Sequence, residues 1–421
     1  MIREAWSRID TESSMLNSHK HWLLPEGIDE LLPEQARRLE ALRRRLLDQF
    51  GSWGYQLVIT PFIEYLDSLL TGAGKDLERQ TFKMTDQISG RLLGIRADIT
   101  PQAARIDAHQ LCCEEPNRLC YIGSVFRTRS DGFSASRSPL QIGAELYGHA
   151  GVESDVEILC LMMATLETAG VENVFLDLGH VGIFRGLSRQ AALDKTRENA
   201  LFAALQRKAV PEIRSLVESF DLDQPLAQMF IDLAGLNGRA DVLDQAREKL
   251  SAASAEVQSS IDAVEKAGQL LQQCLPDLPV HYDLAELRAY QYQTGLVFAA
   301  FVPGSGKEIA RGGRYDHIGE KFGRARPATG FSADLKTLMR FGQAPQQPQP
   351  QRIYAPWQTD AALDKAIMAL RSQGKTVLRE LPGQIGDARS MGCSHVLVRQ
   401  GDAWNLQPLT DHQQDVEQSH P

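Results

Sequence analysis

A chain of 421 residues with 43% hydrophobic and 24% charged side chains has the composition of an ordinary soluble protein and the length for two or three domains. Its 45 basic against 54 acidic residues leave a net charge of -9, which opposes the attraction that nucleic-acid binders show to phosphate backbones. Six cysteines (Cys112, Cys113, Cys120, Cys160, Cys274, Cys393) include no CxxC pair and no neighbouring histidine at zinc-finger spacing, so reduced core or boundary thiols in a cytoplasmic protein are expected.

Residues 1–20 mix acidic and polar side chains without an apolar core, so they are neither signal peptide nor transmembrane helix and are expected to be disordered. From about Glu34, Leu39, Leu42, Leu46, Leu47 and Phe50 recur at helical spacing, with Arg37, Arg38, Arg43, Arg44 and Arg45 on other faces. The pattern predicts an amphipathic helix that stops at Gly51, its arginines a solvated face rather than an RNA contact. Tyr55–Thr60 reads as a strand broken by Pro61, and Thr81–Met84 with Arg91–Ile95 flank Asp86–Gly90 as a hairpin. Thr100 before Pro101 suits an N-cap with proline at the first helical position. Asp98 then lies just outside the helix start, where it binds a ligand amine or complements the helix end.

Tyr121–Gly148 reads as two strands joined by a flexible Ser130–Ser136 loop. Gln141, Gly143 and Glu145 alternate with Leu140, Ile142, Ala144 and Leu146, giving one polar and one apolar face. Arg127 and Arg129 share a face of the first strand and Arg137 follows the loop. Three guanidinium forks opposite Gln141 and Glu145 suit either a clamp for an anionic ligand with an amine at its other end or a merely solvated hairpin.

Beyond it, Ser154–Ala169 is helical and Val174–Leu178 a short strand, while Ser188–Gln273 reads as helices broken at Pro211 and Pro225. Strands resume at Val280–Leu284 and Tyr290–Val302. The PGSGKE segment, Pro303–Glu308, fails as a phosphate-binding P-loop, because Phe301 stands where the first glycine is needed and Glu308 follows Lys307; it reads as a hairpin turn. In Ile309–Asp316 the Gly312–Gly313 pair permits close backbone approach to a ligand. Gln343–Gln351 is a Pro/Gln linker, Arg352–Thr410 alternates strand and helix as a small α/β module, and the tail from Asp411 is expected to be disordered.

In this order the segments resemble the class II aminoacyl-tRNA synthetases, specifically the histidyl branch, over about Pro25 to Leu338. PEGIDELLP (Pro25–Pro33) looks like that family's opening segment, and TPFIEY (Thr60–Tyr65) its first motif, whose proline lies at the dimer interface. Thr81–Thr100 is similar to the segment that holds the histidine amino group, at Asp98 and Thr100. Phe126 to Glu145 matches the second motif, and Arg288–Phe298 and Arg311–Asp316 resemble the two histidine-specific segments. The resemblance implies an α+β fold: a class II synthetase-like core of antiparallel sheet flanked by helices over residues 21–185 and 276–342. A helical insertion would fill 186–275, and a linker at 343–351 would lead to a small, truncated anticodon-binding-like module at 352–410, with a tail at 411–421.

The departures bear on function. Arg129 stands where the second motif has an acid, Leu140 is atypical before Gln141, and Gln291 and Gln293 replace an aspartate and a tyrosine. In the third motif Gly330–Leu338 reads GFSADLKTL, so that Lys336 replaces the acid and Thr337 the arginine that lies against the ATP phosphates. Losing such a preorganised cation costs about 2.7–4 kcal/mol of transition-state stabilisation, which makes this a vestigial ATP motif. Lys336, one residue away, is expected to point elsewhere.

RADITPQAARI and the lost ATP motif are similar to a non-synthetase branch, the regulatory subunits of ATP phosphoribosyltransferase; an active histidyl-tRNA synthetase is the alternative. The branch implies a short-form catalytic subunit as partner, histidine as allosteric ligand, a homodimer within a hetero-oligomer, no cofactor or metal, no nucleic acid and no membrane. The histidine ammonium would meet Asp98, Thr100 and Glu145, its carboxylate Arg127 or Gln141, and its imidazole Tyr292 and Tyr315, with Arg288 also in the histidine site. The competing reading makes the tyrosines core aromatics and pairs Glu145 with Arg311 or Arg314.

Overall fold

The computed structural model describes residues 23–71, 75–129, 136–287, 290, 292–343 and 351–409. The disorder expected of residues 1–20 and 411–421 and nearly all of the Ser130–Ser136 loop and the Pro/Gln linker lie outside the described residues, as does Arg288. The chain divides into two units, one ending at Ala344 and the other beginning at Pro345.

In chain order the strands of the first unit are β1 (Gln56–Leu57), β2 (Ile63–Tyr65), β3 (Phe82–Thr85), β4 (Leu92–Ile95), β5 (Asn117–Ser124), β6 (Leu140–Tyr147), β7 (Phe175–His180), β8 (Asn237–Gly238), β9 (Val280–Asp283), β10 (Leu296–Phe301), β11 (Ala310–Arg314) and β12 (Ala328–Asp334). Nine of them form one sheet in the order β1-β5-β6-β12-β11-β10-β7-β9-β8. Every pair from β5 through to β7 is antiparallel, while β1–β5 and β7–β9 are parallel. β2, β4 and β3 make a small second sheet.

The helix Pro33–Ser52 starts on a proline at its first position and buries Leu42, Leu46 and Phe50, one side chain per turn, in the main core. Val152–Thr168 and Ala255–Cys274 contribute to the same core, which Ile142, Ala144 and Leu146 of β6 enter from the sheet. Pro211 and Pro225 each lie within the first turn of a helix, Val210–Ser219 and Gln224–Leu233, where their missing N–H costs nothing. The Asp86 carboxylate closes the β3–β4 turn by accepting from the N–H groups of Ile88 and Ser89.

Several strands are shorter than the sequence suggests. Tyr55–Thr60 contributes only β1. The first hairpin strand ends at Ser124, so Arg127 and Arg129 lie beyond it, and β10 begins at Leu296, which leaves Tyr290 and Tyr292 in the preceding connection. In each case apolar periodicity continues past the last backbone pairing, because the side chains still pack after the ladder has stopped. Cys112 and Cys274 are exposed rather than core thiols.

The second unit has β13 (Arg352–Ala355), β14 (Thr376–Arg379), β15 (His395–Gln400) and β16 (Ala403–Pro408) in the order β14-β13-β15-β16. The helix Ala361–Ser372, capped by Asp360, places Leu363 and Ile367 in a core with Ile353, Val377 and Leu397. β16 has no counterpart among the elements expected from the sequence; it pairs with β15 at the sheet edge, with Trp404 packed against the core. Among the described residues no helix is long and apolar enough to cross a membrane.

A buried ion pair joins two segments of the first unit that lie 219 positions apart. Arg326 donates to Asp107 at 3.0 Å and to the Glu115 carbonyl at 2.6 Å, and Asp107 also accepts from Asn117 at 3.0 Å. Asp107→Ala, which leaves the guanidinium buried without its carboxylate, is expected to lower unfolding free energy by about 3–5 kcal/mol in urea titrations.

Candidate functional site

The polar face of β6 carries the site. Glu145 sits opposite Leu119 of β5 and Gly330 of β12, on an interior strand of the sheet. A Cβ at residue 330 would collide with the Glu145 carboxylate, so glycine there is what admits the acid. Tyr121 donates to Glu145 at 2.9 Å and Tyr315 donates to its other oxygen. Glu145 therefore pairs with neither arginine: Arg311 binds Glu308 at 3.1 Å, and Arg314 binds Asp155 at 3.0 Å and Asp316 at 3.2 Å. Burial pushes the Glu145 carboxyl up to about 8, against the opposing effect of the two hydroxyls, so it is largely protonated at neutral pH.

Asp98 is held in place before any ligand arrives. One of its oxygens accepts from the Thr100 N–H at 2.9 Å and from Gln141 Nε2 at 2.8 Å, while Gln141 Oε1 accepts from the Ile99 N–H at 2.9 Å. A carboxylate on one side and an N–H on the other fix which way the Gln141 amide points. The helix runs Thr100–Ile106, so Thr100 is its first residue and not its cap; Asp98 reaches forward to the open N–H, and the Thr100 hydroxyl contacts Tyr121 at 3.0 Å. Arg96 anchors this segment by donating to the Ser124 carbonyl at 2.8 Å and to Thr60 Oγ1 at 2.7 Å.

Asp98, Thr100, Arg127, Glu145, Tyr292 and Tyr315 all line one cavity of about 440 Å³. Tyr292 and Tyr315 stack with ring centroids 5.2 Å apart, and the buried Tyr292 hydroxyl has no hydrogen-bond partner among the described residues. Gln141 is not on this wall; it braces Asp98 from behind and lines a neighbouring cavity. The three-arginine clamp does not assemble: Arg127 faces the tyrosine cavity, whereas Arg129 and Arg137 line a separate one with Lys336. Lys336 turns to Asp29 at 3.1 Å and the Ser138 carbonyl at 2.8 Å, and Thr337 donates to Asp334 at 2.7 Å.

Tyr121, Phe202, Gln206 and Glu286 also belong to the site's surroundings and are not legible as such in the sequence. For Tyr121 a signal exists: Gly143, its cross-strand partner, leaves the space that the phenol occupies. Phe202 and Gln206 arrive from the helix Lys195–Gln206, whose approach no local pattern encodes. Among the described residues no group of three or more His, Cys, Asp or Glu is placed to hold a metal.

Residues 27–338 match the histidyl-tRNA synthetase family model, and residues 350–407 match the ATP phosphoribosyltransferase subunit HisZ C-terminal domain. An ATP phosphoribosyltransferase regulatory subunit from Methylococcus capsulatus is 57% identical over 92% of this chain and 96% of its own length. The chain belongs to the ATP phosphoribosyltransferase regulatory subunits. A regulatory subunit from Alkalilimnicola ehrlichii is 56% identical over 94% of this chain and 99% of its own. The crystal structure of an ATP phosphoribosyltransferase regulatory subunit/histidyl-tRNA synthetase from Bacillus halodurans superposes with a TM-score of 0.77 at 26% identity, covering 88% of this chain and 95% of that one. The fold is the class II synthetase fold, and the chain is a regulatory subunit of ATP phosphoribosyltransferase.

Glu145 makes stability depend on pH in a definite direction. A carboxyl with a higher pKa folded than unfolded holds an extra proton in the native state between the two values, from about 4.5 to about 8, so its contribution falls as pH rises through that window. Glu145→Gln keeps an acceptor for a tyrosine and removes the titration. The melting temperature of the variant should gain on that of the wild type from pH 5 to pH 9, by an amount equivalent to roughly several kcal/mol, in paired thermal scans.

Proposed function

We propose that this regulatory subunit activates a short catalytic ATP phosphoribosyltransferase chain and transmits feedback inhibition by histidine bound in the tyrosine cavity. The observation that carries the reading is a preset Asp98 carboxylate on the same cavity as a buried, unpartnered Tyr292 hydroxyl and an uncharged Glu145. Asp98 is assigned to the ligand ammonium. Glu145, largely neutral near pH 7, suits a ring N–H of the imidazole better than a second ammonium contact, which revises the pairing implied by family resemblance. Arg127 is assigned to the carboxylate, by its bidentate fork. Gln141 is a positioning residue, and Arg288 stays a candidate for the histidine site on resemblance alone.

Inhibition requires that histidine bind more tightly to one of two states of the complex, since a ligand indifferent to both shifts neither. The exposed apolar side chains Leu57, Ile59, Phe62 and Ile63 flank Pro61 and support a homodimer through that face within the hetero-oligomer. A cytoplasmic location is inferred from the unpaired cysteines.

Mixing the chain with a short catalytic subunit should raise turnover and make it histidine-sensitive; absence of activation overturns the reading, as does histidine-dependent exchange of pyrophosphate into ATP by the isolated chain. Asp98→Asn, which retains an acceptor for the Thr100 N–H, should weaken histidine binding by about 10- to 100-fold in calorimetry while leaving activation largely intact. Equal loss of binding and activation would make Asp98 structural.

A further inference from the structure

The helix Lys195–Gln206 of the helical insertion carries two stripes with different tasks. Leu201, Ala204 and Leu205 are buried in the main core. Glu198, Phe202 and Gln206, each four positions from the next, form the other stripe. Phe202 and Gln206 line the tyrosine cavity, and Glu198 accepts from the hydroxyl of Tyr290, which lines it too, at 2.7 Å.

Tyr290 in turn sits where the cavity wall is shaped. Its ring centroid lies 5.3 Å from those of Phe184 and Phe202. The Arg185 guanidinium stands 5.0 Å from the same ring and donates to the Tyr290 and Gln293 carbonyls at 3.1 and 2.9 Å. Those two carbonyls bracket Tyr292, whose ring stacks on Tyr315. Lys208, two residues beyond the helix, pairs with Asp283 at 2.8 Å, where β9 ends and the connection carrying both tyrosines begins. The insertion thus grips that connection at its start and at Tyr290, while the Thr294 N–H ties its far end to the Arg314 carbonyl at 2.7 Å.

Apolar packing does not call for the Glu198–Tyr290 bond. A side chain only 17% exposed gives up much of its hydration, which the Tyr290 hydroxyl and Lys195, at 3.1 Å, replace. Phenylalanine at 290 and an apolar residue at 198 would fill the same space with no polar group to satisfy. Burial and the Glu198 carboxylate hold the Tyr290 phenol above its ordinary range, so it remains a donor.

We propose that Glu198 is a positioning residue for histidine recognition: through Tyr290 it sets the place of Tyr292, and it makes the tyrosine cavity depend on the seating of the helical insertion. The inference rests on histidine occupying that cavity. A ligand that prefers the wall as the insertion holds it stabilises the seated insertion by the same factor, which gives the insertion a share in the response to histidine.

The test is calorimetry of histidine binding to the full chain, with a thermal scan of each variant. Glu198→Ala and Tyr290→Phe should each weaken binding about tenfold, and the double variant no more than either alone. Glu198→Gln, whose amide oxygen still accepts from the phenol, should stay close to wild type. Arg189→Ala breaks an exposed ion pair with Glu256 and should leave affinity unchanged even where it lowers the melting temperature. Wild-type affinity in Glu198→Ala, losses that multiply in the double variant, no recovery in Glu198→Gln, or an equal loss in Arg189→Ala overturns the proposal. Tyr290→Phe keeps the ring and its packing, so it decides the matter where Glu198→Ala does not fold, and wild-type affinity there overturns the proposal as well. Unchanged variants of a chain that binds histidine sink this inference alone, whereas no histidine binding by the wild type sinks the histidine reading and this one with it.

Discussion

Placing a carboxyl group at the centre of an antiparallel sheet is the constraint from which the rest of the site follows. Glu145 has strands on both sides and, among the described residues, bonds to two phenols and to no arginine, so it is kept by those hydroxyls and by its own proton. Removing an ionised carboxylate from water without a counter-charge costs far more than protonating it, and the fold takes the cheaper course. Glycine at 330 and 143 then becomes obligatory, one to admit the acid and the other to admit Tyr121. The stacked Tyr292 and Tyr315 add an aromatic wall beside it.

The arginines of this chain that are buried do a different task. Arg96, Arg314 and Arg326 each bind backbone carbonyls as well as side chains, and each joins segments distant in sequence. A planar fork with five donors can satisfy several carbonyls that no helix or ladder reaches, which a lysine at the same place cannot do. Arg96 makes such bonds beside the Asp98 segment, whereas Arg314 makes them on the face that Leu146 shares, against the start of the helix Val152–Thr168. Binding groups and packing groups are segregated along β6 by the two-residue period of a strand.

That period is why so much was legible. Gln141 and Glu145 on one face and Ile142, Ala144 and Leu146 on the other follow from alternation alone, and the order of motif-like segments indicated the sheet they belong to. Strand ends were less legible. Arg127 and Tyr292 continue a periodic run past the point where backbone pairing stops, because packing preference outlasts the ladder. The reciprocal bonding of Gln141 with Asp98 and Ile99 was illegible for another reason: it depends on a distance across 42 or 43 positions of chain that no spacing rule encodes. A cap assignment one residue out, Thr100 for Ile99, is the ordinary uncertainty at helix ends, compounded by a side chain that reaches in from Asp98.

Arg127, Arg311 and Ser332 line both the tyrosine cavity and the cavity beside the Pro303–Glu308 turn. A wall held in common means that the two spaces are not electrostatically independent: a charge entering one changes the potential in the other through the same guanidinium groups. Thermodynamic reciprocity then governs any pair of occupants, each altering the other's affinity by an equal factor. A charged group entering either space therefore acts on the polar groups that line both.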